Sequence, residues 1–375
     1  MIPERRDRFE GTMVIRTAGT LACLVGVLVV LGLAPGARAE AQDVAEWDND
    51  ACLACHTEPG RSMELSSGEV IDLWIDAERW DASVHAFWEM KCILCHTDIT
   101  AIPHDPPSFA DSREFASERS EGCTICHREE TVLEDDVHAL AREEGNLDAA
   151  VCSDCHDPHY ATDPPMEHAD IPKTCQTCHA GIYDEYAASV HGGALTEGNR
   201  DVPTCTDCHG VHEIEGPSRG TFHLFSPQIC AECHADEDLM AEYGINTDVF
   251  DTYVSDFHGR TITLFQQITP DQDTNAPVCV SCHGVHDIRP ADDSASMVAK
   301  ENLLVTCQHC HPDADAGFPD AWMSHYSPSP DQWPIVFLVR LFYQILIPVV
   351  IGGMLIYIAI DVYARRRSRR EARRG

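Results

Sequence analysis

Cys-x-x-Cys-His stands nine times in this 375-residue chain, opening at Cys52, Cys92, Cys123, Cys152, Cys175, Cys205, Cys230, Cys279 and Cys307. The second cysteines are Cys55, Cys95, Cys126, Cys155, Cys178, Cys208, Cys233, Cys282 and Cys310. A histidine follows each of them: His56, His96, His127, His156, His179, His209, His234, His283 and His311. Two thiols at this spacing can add across the two vinyl groups of one porphyrin, and the next residue can then ligate the iron, which is the attachment chemistry of c-type haem. Zinc knuckles and disulfides also use paired cysteines. Neither needs a histidine behind every pair, and the motifs take eighteen of the nineteen cysteines. The pattern predicts nine covalently bound haem c groups, with the cysteines as tethers and the motif histidines as proximal iron ligands.

The histidines outside the motifs keep a rhythm of their own. Four stretches read attached, free, attached, free: His56, His85, His96, His104; His127, His138, His156, His159; His179, His191, His209, His212; His234, His258, His283, His286. A free histidine on the far side of an iron makes it six-coordinate and low-spin. Of 21 histidines, nine close motifs and His309 lies inside one, which leaves eleven for nine sixth positions. The repeat supplies eight, and His325 is the natural candidate for the last haem. His168 and His223 are surplus, each seven residues before an attachment cysteine. Spacing alone pairs no free histidine of the repeat with a particular haem.

Rigid perches must hold these ligands, and the sequence repeats them. Ser83-Val84-His85 returns as Ser189-Val190-His191, and Asp256-Phe257-His258 takes its place later, with Trp80, Tyr186 and Tyr253 five residues before the histidines. Composition predicts a helix from Ile182 to His191 stopping at Gly192-Gly193, and another from Val249 to His258 ending at Gly259. Large apolar side chains are thinly spread between the motifs, so the haems must supply most of the buried apolar surface. The expected fold is mostly irregular with short α-helices, a multihaem cytochrome c wrapped around a haem stack, plus one C-terminal transmembrane helix.

Residues 1–39 read as a signal peptide: arginines, an apolar run from Leu21 to Leu33, then Ala37-Arg38-Ala39. Cys23 lies inside that run. Residues 40–332 form the haem domain, with modules at about 50–110, 120–165, 170–225 and 228–295 and a last haem at about 300–330. A transmembrane helix is expected over 333–363, where Leu341 to Ile360 has no formal charge, and a basic tail over 364–375. Arginines stay on the cytoplasmic side, which predicts a single pass in the inner membrane with the haem domain in the periplasm. Net charge is −36, which excludes nucleic acid as a partner and reads either as a solvated surface or as a docking field for a basic redox protein.

The Ser-Val-His-Gly segment 189–192 and the Cys-x-x-Cys-His-Gly-Val-His segments 205–212 and 279–286 resemble the multihaem cytochrome c superfamily that includes the NapC/NirT-type tetrahaem quinol dehydrogenases. Those proteins typically carry an N-terminal anchor and fewer haems, so their quinol site does not carry over. The layout is closer to exported multihaem subunits that pair with a membrane cytochrome b. The resemblance implies an electron conduit between a quinone-linked membrane partner, a cytochrome b, and a periplasmic redox protein. The alternative is an oxidoreductase with one open catalytic haem acting on a small nitrogen or sulfur compound. No Cys-x-x-Cys-Lys occurs, the mark of the open haem in many multihaem nitrite reductases. The anchor has no histidine, so a b-type haem and most of any quinone site belong to another subunit. Arg340, Tyr343, Gln344, Gly352-Gly353, Pro348 and Asp361 mark where a partner helix could pack.

Overall fold

Tethers and caps cut most of the chain before Pro334 into helices of one to three turns. The computed structural model describes residues 47–375 apart from 129–136, 165, 217–219, 273, 323 and 375; the expected signal peptide and Cys23 lie outside the described residues. Motif segments coil into single turns, such as Cys92–Cys95, Cys152–Cys155, Cys205–His209 and Cys279–His283. A helical turn puts positions three apart on one face, so both thiols of a motif point the same way.

The four free histidines that come first in each module share one local design. His85, His138, His191 and His258 are the second residues of helices Val84–Phe87, Val137–Glu143, Val190–Thr196 and Phe257–Ile268. Ser83, Ser189 and Asp256 cap three of these by accepting the backbone N–H of Ala86, Gly192 and Gly259 at 3.2, 3.1 and 2.9 Å.

The two longer helices expected from composition are therefore each broken in two. Ala180–Ala187 ends before Ser189, which starts Val190–Thr196; Val249–Ser255 ends at Asp256, which starts Phe257–Ile268. The glycines do not stop a helix. They sit in the first turn of the second one, where a Cβ on Gly192 or Gly259 would fall 2.1 Å from the carbonyl oxygen of Tyr186 or Tyr253. Only glycine lets the second helix fold back this closely on the first.

Tyr186 and Tyr253 then tie each perch to the following motif. Their hydroxyls donate to the carbonyls of Pro203 and Pro277, at 2.8 and 2.9 Å, two residues ahead of Cys205 and Cys279. Tyr253 is buried with Leu224, Ile262, Ala276 and Val278, one of two small apolar clusters among the described residues. Tyr253→Phe is expected to cost about 1 kcal/mol in a denaturant melt, the net worth of one such bond, with haem content unchanged.

The second cluster, Met63, Leu65 and Phe109, lies beside a hairpin that the sequence reading did not foresee. Strand β1, Ser62–Glu64, pairs antiparallel with β2, Val70–Asp72, through a turn at Gly68 with φ 88°. At the other end, Pro334–Glu371 is a 38-residue helix whose most apolar stretch of 18 residues has mean hydropathy 2.4, long and apolar enough to cross a membrane. It runs on through the basic tail, where Asp361 accepts from Arg365 and Glu371 from Arg367 one turn apart.

Candidate haem-binding sites

Each motif histidine faces one free histidine, and there are nine such pairs. Ring centroids stand 6.0–6.4 Å apart in His56–His104, His85–His127, His96–His159, His138–His179, His156–His212, His191–His234, His209–His286, His258–His311 and His283–His325. Two imidazoles bound end-on to one metal, at about 2 Å per bond, set their ring centres roughly 6 Å apart. The free partners are the nine histidines singled out from the sequence. His168 and His223 face no motif histidine among the described residues; His168 Nε2 lies 3.5 Å from Asp207 Oδ2.

Pairing follows a rule. The first free histidine of a module reaches forward to the first motif of the next: His85 to His127, His138 to His179, His191 to His234, His258 to His311. The second reaches back to the second motif of the module before: His159 to His96, His212 to His156, His286 to His209. His325 obeys the same rule and faces His283, so its expected assignment to the last haem is corrected: His258 stands opposite His311. The side-chain amide of Asn246 donates to the His325 carbonyl at 2.5 Å and holds this segment against the fourth module.

A backbone clasp enforces the exchange. Val84, Val137 and Val190, each just before a perch histidine, donate their N–H groups to Ala161, Ile214 and Ile288, at 2.9, 3.1 and 2.9 Å. Those acceptors lie two residues beyond His159, His212 and His286. One bond thus brings together the two histidines that neighbouring modules trade.

The donor chemistry suits iron. A carbonyl oxygen only accepts, so Nδ1 donates from His56 to Leu73 (2.9 Å), from His85 to Pro158 (2.8 Å) and from His209 to Glu215 (2.8 Å). That places the proton on Nδ1 and leaves the Nε2 lone pair for a metal. Burial pushes His96 and His191 down to about 4, so both rings are neutral, as ligation requires. All eighteen motif cysteines are free of disulfides, and no three His, Cys, Asp or Glu side chains converge as a metal-ion cage would need among the described residues. Phe87 and Phe257, close to His85 and His258, are 76% and 83% exposed on the protein alone. They offer the apolar surface that a porphyrin face covers.

The motifs are also neighbours in sequence order. Within a module the leading cysteines are neighbours: Cys52 and Cys92, Cys123 and Cys152, Cys175 and Cys205, Cys230 and Cys279. Across boundaries Cys95 lies by Cys126, Cys208 by Cys230, and Cys282 by Cys307. Between the second and third modules, Cys152–Cys155 packs on Ile171–Gln176.

Two comparisons with known proteins fall on this repeat. Residues 138–182, which hold His138, two motifs and His159, match the family described as Doubled CXXCH motif. Over 240 residues the chain is 24% identical to the multiheme cytochrome MtrA of Shewanella baltica (strain OS185), covering 64% of this chain and 57% of that protein. No solved structure matches. The family match spans two of the motifs that the geometry prepares for covalent haem c, and together with the likeness to a multiheme cytochrome it supports a multihaem c-type cytochrome.

Proposed function

We propose that this chain conducts electrons along nine haem c groups, between a quinone-linked membrane partner, a cytochrome b, and periplasmic redox proteins. One observation carries the reading: all nine motif histidines are opposed by a second histidine at 6.0–6.4 Å. Haem bound there supplies a one-electron iron couple. The paired histidines would hold such an iron from both sides, which would let the couple cycle with little rearrangement and without a standing substrate site. Bis-histidine ligation also favours potentials below those of His/Met haems.

Order along the chain gives the conduit two ends. Cys52–His56 begins it, and Cys307–His311 ends it, closest in sequence to the membrane helix Pro334–Glu371. We assign exchange with the membrane partner to that second end. Arginines beyond Asp361 support a tail in the cytoplasm and a haem domain in the periplasm of an inner-membrane protein. The acidic surface favours a basic periplasmic partner.

The test is a haem count with low-temperature EPR on the oxidised protein. Nine haems per chain, all low-spin, are expected. The ring planes add detail: His96 and His159 lie 4° apart and His56 and His104 12°, which splits the iron orbitals and gives rhombic signals. His85 and His127 cross at 67°, which leaves those orbitals closer in energy and gives a strongly anisotropic signal. A stoichiometric high-spin signal that shifts with nitrite or hydroxylamine would instead make the protein a reductase.

Ending the chain before Pro334 is expected to move the haem domain to the soluble fraction with its haem content intact. Reduction by membrane quinol should be lost. Quinol reduction at the full rate by the soluble form would remove the membrane partner from this assignment.

A further inference from the structure

One pair breaks the rule that governs the other eight. His56 and His104 belong to the same module, whereas every other motif histidine faces a histidine from a neighbouring module or, for His283, from the segment after the last motif. His104 also lacks the usual local setting. Like His325, it is not on a perch helix and does not stand three residues behind a motif histidine as His159, His212 and His286 do, but it has no counterpart of the Trp322 ring and the Asn246 amide that hold His325.

Its support is local. His104 is exposed in an irregular stretch carrying Pro103, Pro106 and Pro107, which have no N–H to donate. Among the described residues, none from 100 to 108 makes a backbone–backbone hydrogen bond. The ring's Nδ1 is held only by its own neighbour, the Asp105 carbonyl, at 3.0 Å. His85, in contrast, is anchored to Pro158 in the next module. A cleft of about 340 Å³ opens beside the ring, lined by Ile99, Thr100, Pro103, Asp105 and Pro107.

The opposite ring is fixed. His56 ends helix Asn49–His56, follows a tethering cysteine directly, and its Nδ1 donates to Leu73 at 2.9 Å. When one axial bond of this pair opens, it is therefore the bond to His104.

We propose that the iron between His56 and His104 is the protein's exchangeable coordination site, where His104 yields to small neutral π-accepting ligands such as carbon monoxide or nitric oxide. This rests on the six-coordinate reading above. His104 leaves with its nitrogen lone pair, and the incoming molecule donates a lone pair to the ferrous iron in its place; no electron is transferred. Anionic ligands are disfavoured by the Asp105 carboxylate at the cleft and by the net charge of −36.

The experiment is a carbon monoxide titration of the dithionite-reduced holoprotein, followed optically, for wild type, His104→Ala and His212→Ala. Wild type should bind one CO per chain, slowly, because the ring must open first. His104→Ala should still bind one, but faster by about tenfold or more, since the open form is no longer a minor state. His212→Ala, which removes another exposed ligand, should bind two. A wild type that binds no CO, while each variant gains one high-spin haem in EPR, overturns the exchange and leaves the conduit reading intact. The same holds if His104→Ala rises to two, which places the labile site elsewhere. If neither variant gains a high-spin haem, the axial assignments fail and this inference falls with them.

Discussion

Replacing His286 with alanine is expected to leave one high-spin haem per chain, and that haem is the one on Cys205 and Cys208. Sequence proximity points elsewhere, since His286 stands three residues behind His283. The rings decide otherwise: His286 faces His209 at 6.1 Å, while His283 faces His325, also at 6.1 Å. Loss of the imidazole leaves its iron five-coordinate without touching the neighbouring attachment. EPR of the double variant His286→Ala, His325→Ala separates the alternatives. Two high-spin haems per chain are expected, because the two histidines serve different irons. A single high-spin haem would mean that they serve the same one.

The second large effect belongs to adjacent glycines that look equivalent in sequence. Gly192→Ala places a methyl group 2.1 Å from the Tyr186 carbonyl oxygen, backbone that cannot swing aside. The two helices must part, at a cost of about 3 kcal/mol, the upper end for overpacking. His191 moves with them, so the His191–His234 pair is expected to loosen and a high-spin fraction to appear. Gly193→Ala meets nothing within 4 Å inside the same helix. There a methyl group restrains the unfolded chain and stabilises by about 0.4–1 kcal/mol. Urea melts of the two variants should therefore shift in opposite directions; a shared direction would show that the helix junction is not as tight as described.

Much of the site was legible in the residues themselves. Cys-x-x-Cys-His names its chemistry because three covalent or coordinate anchors demand that spacing, and the alternation of attached and free histidines exposed the module. The nine histidines that face motif rings are those the repeat and His325 supplied. What the sequence withheld was the pairing. It depends on backbone bonds such as Val84 N–H to the Ala161 carbonyl, which any residue could make and no residue type announces. His325 was misassigned for the same reason, since proximity along the chain says little once modules trade ligands.

The perches were read with the right residues and the wrong boundaries. Gly192 and Gly259 look like helix stops, yet Ser189 and Asp256 are the real punctuation, each starting a new helix whose second residue is the ligand. The hairpin at Ser62–Asp72 left no comparable signal, because its strands are three residues each and alternate too briefly to show a period.

Reciprocal trading of histidines has a consequence for how such proteins grow. Duplicating one internal module and inserting the copy beside the original leaves no iron short of a ligand. The newcomer receives one histidine from each neighbour and returns one to each. A copy that brings a motif without its free histidine leaves one haem short of a ligand. The arrangement therefore permits longer and shorter descendants that differ by pairs of haems, while the self-paired His56–His104 end stays constant through every change of length.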